Sequence, residues 1–474
     1  MLLDIARFIL ILLEVLILFN LLIVVHEIGH FLAARWRGLY IERFGVWFGK
    51  PIWKKTINGV QYSLGSLPFG GFVALPQLAP MDIIEGKADI DRAKLPPVSA
   101  IDKIIVAIAG PVFSLLLGFA IACLIWVVGY PVSEADMTTR IGYIMPDSPA
   151  LKAGLQPGDK ILEVDGKPVK RFLGMNDSVT WAVVSSEGDT IPVKYERNGA
   201  VNTVEVEPFR AETRGWRRKS VRQLKIAPAE TSIISEIEPG SPAERAGVMK
   251  GDIIRSVNGT PLYNLEALMV QIKDHPDQEM VLQIERDGQL REVRLTPAPM
   301  VAKGEKEAKP RIGVRWEDKL TIAHPTPVEQ IRNSITSTLN TIAAVASPKS
   351  DVKLQHLSGP IGIARIYYLL FQSEHGWQLA LWFSVILNVN LAIINMLPIP
   401  VLDGGHIVLG IIESIRRRPL NTRVLEVVQA CCTLLIIGVI VYITFFDIQD
   451  LPFVRHKLER FEPKASQQHD PGAP

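Results

Sequence analysis

An apolar run that begins near Phe8 does not stop at a charged loop but leads directly into His26-Glu27-Ile28-Gly29-His30. This constrains the chain more than any other feature, because ionisable groups inside a membrane-spanning helix are expensive and by default functional. Residues four apart share one face of a helix, so both imidazoles can reach a single ion. Two neutral imidazoles and a carboxylate suit zinc, with one position left open for water. Glu27, between them, is placed as the general base that takes a proton from that water. The plainer reading of the same residues is a pair of interfacial histidines capping a membrane helix.

The 474 residues are 48% hydrophobic and carry a formal net charge of only +2. Near-neutral charge gives no argument for nucleic acid. Cys123, Cys431 and Cys432 all lie in apolar runs and form no CxxC pair, which supports neither a disulfide framework nor a cysteine zinc site. Any metal is therefore held by histidine and carboxylate.

Residues 1–37 read as a first transmembrane helix. They lack the basic start and small-residue cleavage site of a signal peptide. Glu14 lies ~18 Å up a straight helix from His26, too far to be a ligand. Arg35, Arg37, Arg43, Lys50, Lys54 and Lys55 place the next segment in the cytoplasm and the N-terminus outside. Residues 38–102 read as a membrane-associated β region and loop, with Asn58-Gly59 as a hairpin turn. Its Pro68-Phe69-Gly70-Gly71-Phe72-Val73 stretch has glycines that let another backbone approach. It is either part of a small sheet at the membrane surface or an edge strand that pairs with an extended substrate. Residues 103–131 form the second span, with Trp126 and Tyr130 at the outer interface.

A repeat follows. Ser148-Pro149-Ala150, Gly158-Asp159 and Val164-Asp165-Gly166 recur as Ser241-Pro242-Ala243, Gly251-Asp252 and Val257-Asn258-Gly259, each 93 residues later. Such self-similarity means two copies of one α+β module, expected at 137–225 and 226–300. Residues 301–376 read as a linker, 301–310, followed by amphipathic surface helices carrying Val328, Ile331, Ile335, Leu339 and Ile342 at helical spacing. The third span, 377–412, contains Asn388, Asn390 and Asn395, then breaks at Pro398, Pro400, Gly404 and Gly405. Irregular backbone at membrane depth is tolerated only in protein or along a wet cavity, which makes Asp403 the best third ligand. His406 competes, being three residues on. Residues 413–423 are a basic cytoplasmic loop, 424–446 the fourth span, and 447–474 a polar tail on the outer side.

HEIGH, PFGGFV, Ala109-Gly110-Pro111, the paired modules, Leu357-Ser358-Gly359-Pro360-Ile361-Gly362, and Asn395-Met396-Leu397-Pro398-Ile399-Pro400-Val401-Leu402-Asp403-Gly404-Gly405-His406 together resemble the site-2 protease family. The modules themselves resemble the circularly permuted PDZ domain of bacterial envelope proteases. The likeness covers almost the whole chain. It implies a polytopic α-helical membrane protein with four transmembrane helices, a membrane-associated β-hairpin region and two inserted α+β PDZ domains. It implies a zinc metalloprotease that cuts single-span proteins within the membrane, with His26, His30 and Asp403 as ligands and Glu27 as catalytic base. Gly70, Gly71, Phe72, Asn390, Asn395, Pro398 and Pro400 match positions that handle substrate. The expected partners are the lipid bilayer and single-span substrates such as trimmed anti-sigma factors and remnant signal peptides. The expected location is the bacterial inner membrane, with both termini and the PDZ domains periplasmic and the HExxH end towards the cytoplasm. Steric gating by the PDZ pair is favoured over activation by a bound peptide. The rival from another class is a non-catalytic PDZ membrane adaptor, and zinc transport is a weaker third reading.

Overall fold

The computed structural model describes residues 2–78, 95–213, 215–301, 307–416 and 422–451. Among these, four helices are long and apolar enough to cross a bilayer: Ala6–Trp36, Ala100–Val128, Gly376–Asn395 and Val424–Gln449. Helix α1 (Leu2–Trp36) carries HEIGH in its last third. Four strands follow: β1 (Arg43–Phe48), β2 (Trp53–Ile57), β3 (Val60–Leu64) and β4 (Leu67–Ala74). They form one sheet in the order β2-β3-β1-β4, so β4 is an edge. Asn58 and Gly59 both have positive φ, as a two-residue hairpin turn needs.

Sequence reading left open where this sheet sits. Buried Asn20, well inside the first span, donates from Nδ2 to the Pro68 carbonyl at 3.1 Å. Gly71 lies against Ile23 and Glu27. Strand β4 therefore runs alongside α1 at membrane depth, in the same direction along the chain. The reason for Gly70 differs from the expected one. Its bare side is filled by the Phe48 ring of its own sheet, not by an approaching backbone.

Helix α2 (Ala100–Val128) starts at Ser99, whose hydroxyl accepts from the Asp102 amide. Arg37 at the end of α1 pairs with Asp102 at 2.6 Å, so α2 returns antiparallel to α1. The chain leaves the membrane through β5 (Tyr130–Val132). The first inserted module contains β6 (Ile141–Ile144), α3 (Pro149–Lys152), β7 (Lys160–Val164), β8 (Lys167–Pro168), α4 (Val179–Val184), β9 (Ile191–Arg197), β10 (Ala200–Val206) and β11 (Ile226–Pro228). The second contains β12 (Ser232–Ile237), α5 (Pro242–Arg245), β13 (Ile253–Val257), β14 (Thr260–Pro261), α6 (Leu265–Asp274), β15 (Met280–Arg286), β16 (Gln289–Leu295), β17 (Ala298–Met300), β18 (Lys309–Arg311) and β19 (Val314–Asp318). Each module closes the same way: its last strand pairs antiparallel with its first, β11 with β6 and β19 with β12.

That closure moves the expected boundaries. The first module ends at Pro228 rather than 225, and the second at Asp318 rather than 300. The expected linker is also partly structured, since Lys309–Arg311 pairs with Ala298–Met300; residues 302–306 lie outside those described. Both modules share a further device. Buried Asp159 and Asp252 each take a two-pronged ion pair, from Arg197 and Arg286, with nitrogen–oxygen distances of 2.7 Å. The same guanidinium also donates to Gly154 or Gly247, the glycine that ends the short helix.

Strand β20 (Thr321–Ala323) pairs antiparallel with β5, so the tandem hangs on a two-stranded neck. Helix α7 (Pro327–Ala346) follows, then α8 (Pro360–Gln372) and the third span α9 (Gly376–Asn395). Residues 396–402 are irregular, and α10 (Asp403–Arg416) begins afresh at Asp403. The expected 377–412 element is therefore two helices around a break. Helix α11 (Thr422–Gln449) is the fourth span. Arg417 and Arg418 of the expected cytoplasmic loop, most of the 81–100 loop and the tail beyond Leu451 lie outside the described residues.

The first module is docked on the ends of these helices remote from Arg37 and Asp102. Buried Arg222 bonds Asp351 at 3.1 Å and the Gly188 carbonyl at 2.7 Å. Arg218 reaches Asp447 and Asp450 at 3.5 and 3.0 Å. Asp447 in turn accepts from the Gly359 and Gly362 amides at the start of α8.

Where the two modules meet, burial and the nearby Asp318, Glu266, Glu134 and Asp136 push the Glu230 carboxyl up to about 6. The fold thus favours its protonated form. That advantage is complete below an ordinary glutamate pKa near 4.5 and lost as pH rises through about 6. Glu230→Gln should therefore stabilise the tandem at pH 7 by about 1 kcal/mol, discounted for a half-exposed group, and by nothing at pH 4. Denaturation midpoints of wild type and variant at both pH values check this.

Candidate active site

Two neighbouring turns of α1 bring His26 and His30 to the face that packs on α2. Their Nε2 atoms are 3.2 Å apart. The break after α9 brings Asp403 to the same point across the bundle: its Oδ2 is 3.2 Å from His26 Nε2 and its Oδ1 is 3.3 Å from His30 Nε2. Gly404 and Gly405 make this possible. A Cβ on either would lie 2.2 Å from a carbonyl oxygen of the preceding loop, Met396 or Ile399. His406, the competing candidate, is not part of the convergent set.

Three observations test whether this set fits a metal. Two ligand atoms each ~2.0–2.1 Å from a tetrahedral zinc lie about 3.3 Å apart, which matches the imidazole pair and the distance from each imidazole to one of the two Asp403 oxygens. His30 Nδ1 is 2.8 Å from the Val106 carbonyl, which can only accept; the ring proton is thus on Nδ1 and the Nε2 lone pair faces the set. Asp403 Oδ2 is buried and takes no hydrogen bond from the described residues. Donor type, spacing and an unsatisfied acceptor all fit zinc.

The roof of the site is Gly110 on α2. A Cβ there would come 2.2 Å from His30 Nε2 and 2.8 Å from His26 Nε2, in the space the three ligand atoms face. In the sequence Gly110 stands out only as part of Ala109-Gly110-Pro111. Its place opposite the HEIGH turn is a matter of three-dimensional register.

Glu27 is half-buried beside the set and interacts with the Val73 backbone on β4. A Cβ on Gly71 would lie 3.3 Å from Glu27 Cγ, so the edge strand adjoins the expected base directly. Asn395 Nδ2 is 3.2 Å from His26 Nε2. The other expected substrate-handling residues are more dispersed. Phe72 stacks on Phe48 at a centroid distance of 6.2 Å, within its own sheet. Asn390 accepts from the Thr338 hydroxyl of α7. Pro398 and Pro400 shape the irregular loop, and the Pro400 carbonyl receives Gln429 of α11 at 3.4 Å. Sequence reading missed Ser114, whose hydroxyl is 3.0 Å from His26 Nδ1. A lone serine in an apolar span gives little signal by itself.

Gly110→Ala should leave the protein folded but nearly free of zinc. Metal analysis of the purified variant checks this, with Gly438→Ala on α11, where a Cβ meets nothing within 4 Å, retaining full zinc as control.

The model of peptidase family M50 matches residues 14–439. Protease RseP of Yersinia pestis is 30% identical over 427 residues, covering 85% of this chain and 91% of that protein. The regulator of sigma-E protease RseP of Escherichia coli K12 is 29% identical over 448 residues, covering 89% and 93%. A putative zinc metalloprotease of Vibrio cholerae is 28% identical over 444 residues, covering 86% and 91%. These likenesses set the adaptor and transport readings aside. With a match spanning both the histidine pair and Asp403, the chain belongs to peptidase family M50 and is a metalloprotease.

Proposed function

We propose that this enzyme hydrolyses peptide bonds within the transmembrane segments of single-span proteins in the bacterial inner membrane. The observation that carries the reading is the convergence of His26, His30, Asp403 and Glu27 beside an unpaired sheet edge, all at membrane depth. Zinc is the cofactor, held by His26, His30 and Asp403. When bound it supplies a Lewis acid that makes water a competent nucleophile near neutral pH. Glu27 takes the proton of the attacking water and returns it to the leaving amide nitrogen. A substrate helix must unwind to expose its scissile carbonyl. Strand β4 offers the released backbone a new partner around Gly71, and the Asn395 amide is close enough to hold a substrate carbonyl.

Relatives named for sigma-E regulation support a membrane-anchored anti-sigma factor as one substrate, and remnant signal peptides are a second class with the same single-span chemistry. The two repeated modules are read as PDZ domains on the outer, periplasmic side, and both chain termini are assigned to that side. Their neck and the Arg218 and Arg222 contacts support a gate that stands over the outer ends of the helices and excludes bulky outer domains.

Glu27→Gln should bind zinc at wild-type stoichiometry yet cut a tagged single-span substrate at least 100-fold more slowly. Mass spectrometry of the products, with and without a chelator, reads this; an active Glu27→Gln enzyme removes the assigned base. Deleting residues 133–320 should let a substrate with its outer domain intact be cut. Unchanged resistance of that substrate, with the trimmed form still cut, defeats the gating role.

A further inference from the structure

The two histidines are held by different kinds of partner. One face of α2 presents Val106, Gly110 and Ser114 at successive four-residue steps to the antiparallel α1. Val106 meets His30, Gly110 leaves the space above the convergent atoms, and Ser114 meets His26. A backbone carbonyl can only accept, so it fixes His30 in the tautomer that ligates through Nε2. A hydroxyl both donates and accepts. It therefore permits either tautomer of His26 and favours the ligating one only by accepting from Nδ1–H.

We propose that Ser114 is a positioning residue for zinc, acting through His26 by accepting the Nδ1 proton in the ligating tautomer. This rests on His26 being a ligand, as read above. Ser114 is wholly buried and His26 is 5% exposed, so water cannot replace the hydroxyl. The consequence is specific to the metal-bound state. Without metal, a His26 that has lost Ser114 can carry its proton on Nε2, facing the Asp403 carboxylate 3.2 Å away. That leaves the Nδ1 lone pair without a donor and the Asn395 amide without its acceptor at 3.2 Å, a smaller loss than a buried N–H with no acceptor. Zinc binding forces the proton back to Nδ1, where no acceptor remains. Ser114→Ala should accordingly spare the metal-free fold and weaken zinc binding, where outer partners of ligating histidines typically contribute ~10–100-fold. A hydroxyl that merely fills space would lower stability with or without metal.

The test uses full-length protein in detergent, stripped of metal and titrated with zinc against a chromophoric chelator. The proteins are wild type, Ser114→Ala, Ser114→Thr, Ser114→Asn, His26→Ala and Ser384→Ala. Ser384 carries an equally buried hydroxyl on α9, bonded to Tyr367 and outside the site. The expected result is a 10–100-fold loss of zinc affinity in Ser114→Ala, with a proportionately smaller effect on the metal-free melting temperature. At least one of Ser114→Thr and Ser114→Asn, which keep an acceptor, recovers most of it, and Ser384→Ala behaves as wild type. With zinc in excess, Ser114→Ala should regain cleavage with unchanged KM. The proposal is overturned if Ser114→Ala holds zinc within threefold of wild type, if neither acceptor variant recovers affinity, or if Ser384→Ala loses as much. If His26→Ala itself keeps wild-type affinity, the ligand assignment beneath the proposal falls instead.

Discussion

The close antiparallel packing of α1 on α2 is the contact on which the site depends. A Cβ on Gly29 would lie 2.5 Å from the Ala109 carbonyl, so the two backbones nearly touch beside the histidines. Small residues allow such approach between helices in lipid, where no hydrophobic force drives them together. The approach does two things at once. It sets the Val106 carbonyl and the Ser114 hydroxyl against the outer nitrogens of the histidines, and it lets Gly110 stand off from their inner nitrogens. Polar groups in an apolar span are tolerable only when each has a partner, and this packing supplies the partners from the neighbouring helix.

The third member of the convergent set, Asp403, needs the opposite device. Asp403 is far from the histidines in sequence and reaches them because α9 stops at Asn395 and a new helix starts at Asp403. A helix start suits a carboxylate, since the free amides and the dipole there favour negative charge. The intervening loop folds back so tightly that Gly404 and Gly405 cannot be larger. Breaking a span costs backbone hydrogen bonds in lipid, and this break is confined to where the loop meets α11 through Gln429 and the site through Asp403.

Much of this is legible in the sequence alone. The spans follow from apolar length, the histidine pair from its four-residue spacing, and the tandem from a repeat of fixed offset. What was not legible depends on pairing across distance. The module boundaries were misplaced because the closing strands, Ile226–Pro228 and Val314–Asp318, belong to the sheet of a strand some 80 residues earlier. Arg197 and Arg286, which pair with the buried aspartates of the repeated motif, lie outside that motif themselves, offset by 89 rather than 93 residues. In the sequence Ser114 and Asn20 are isolated polar residues within apolar runs. Only the register of α2 and β4 on α1 gives each its partner.

An edge strand at membrane depth is itself a physical problem, because unpaired amides and carbonyls there cost several kcal/mol each. The chain meets part of that cost locally. Asn20 satisfies the Pro68 carbonyl at one end of β4, and Glu27 meets the Val73 backbone at the other. Both anchors are side chains of α1, so the strand is fixed to the same helix that carries the histidines. A substrate segment that unwinds in the bilayer faces the same cost from its own freed backbone. In the proposed function, pairing the two edges would relieve both, within reach of Glu27. In this reading the site selects segments that unwind readily more than it selects particular side chains, since the groups that β4 offers are main-chain groups common to every substrate.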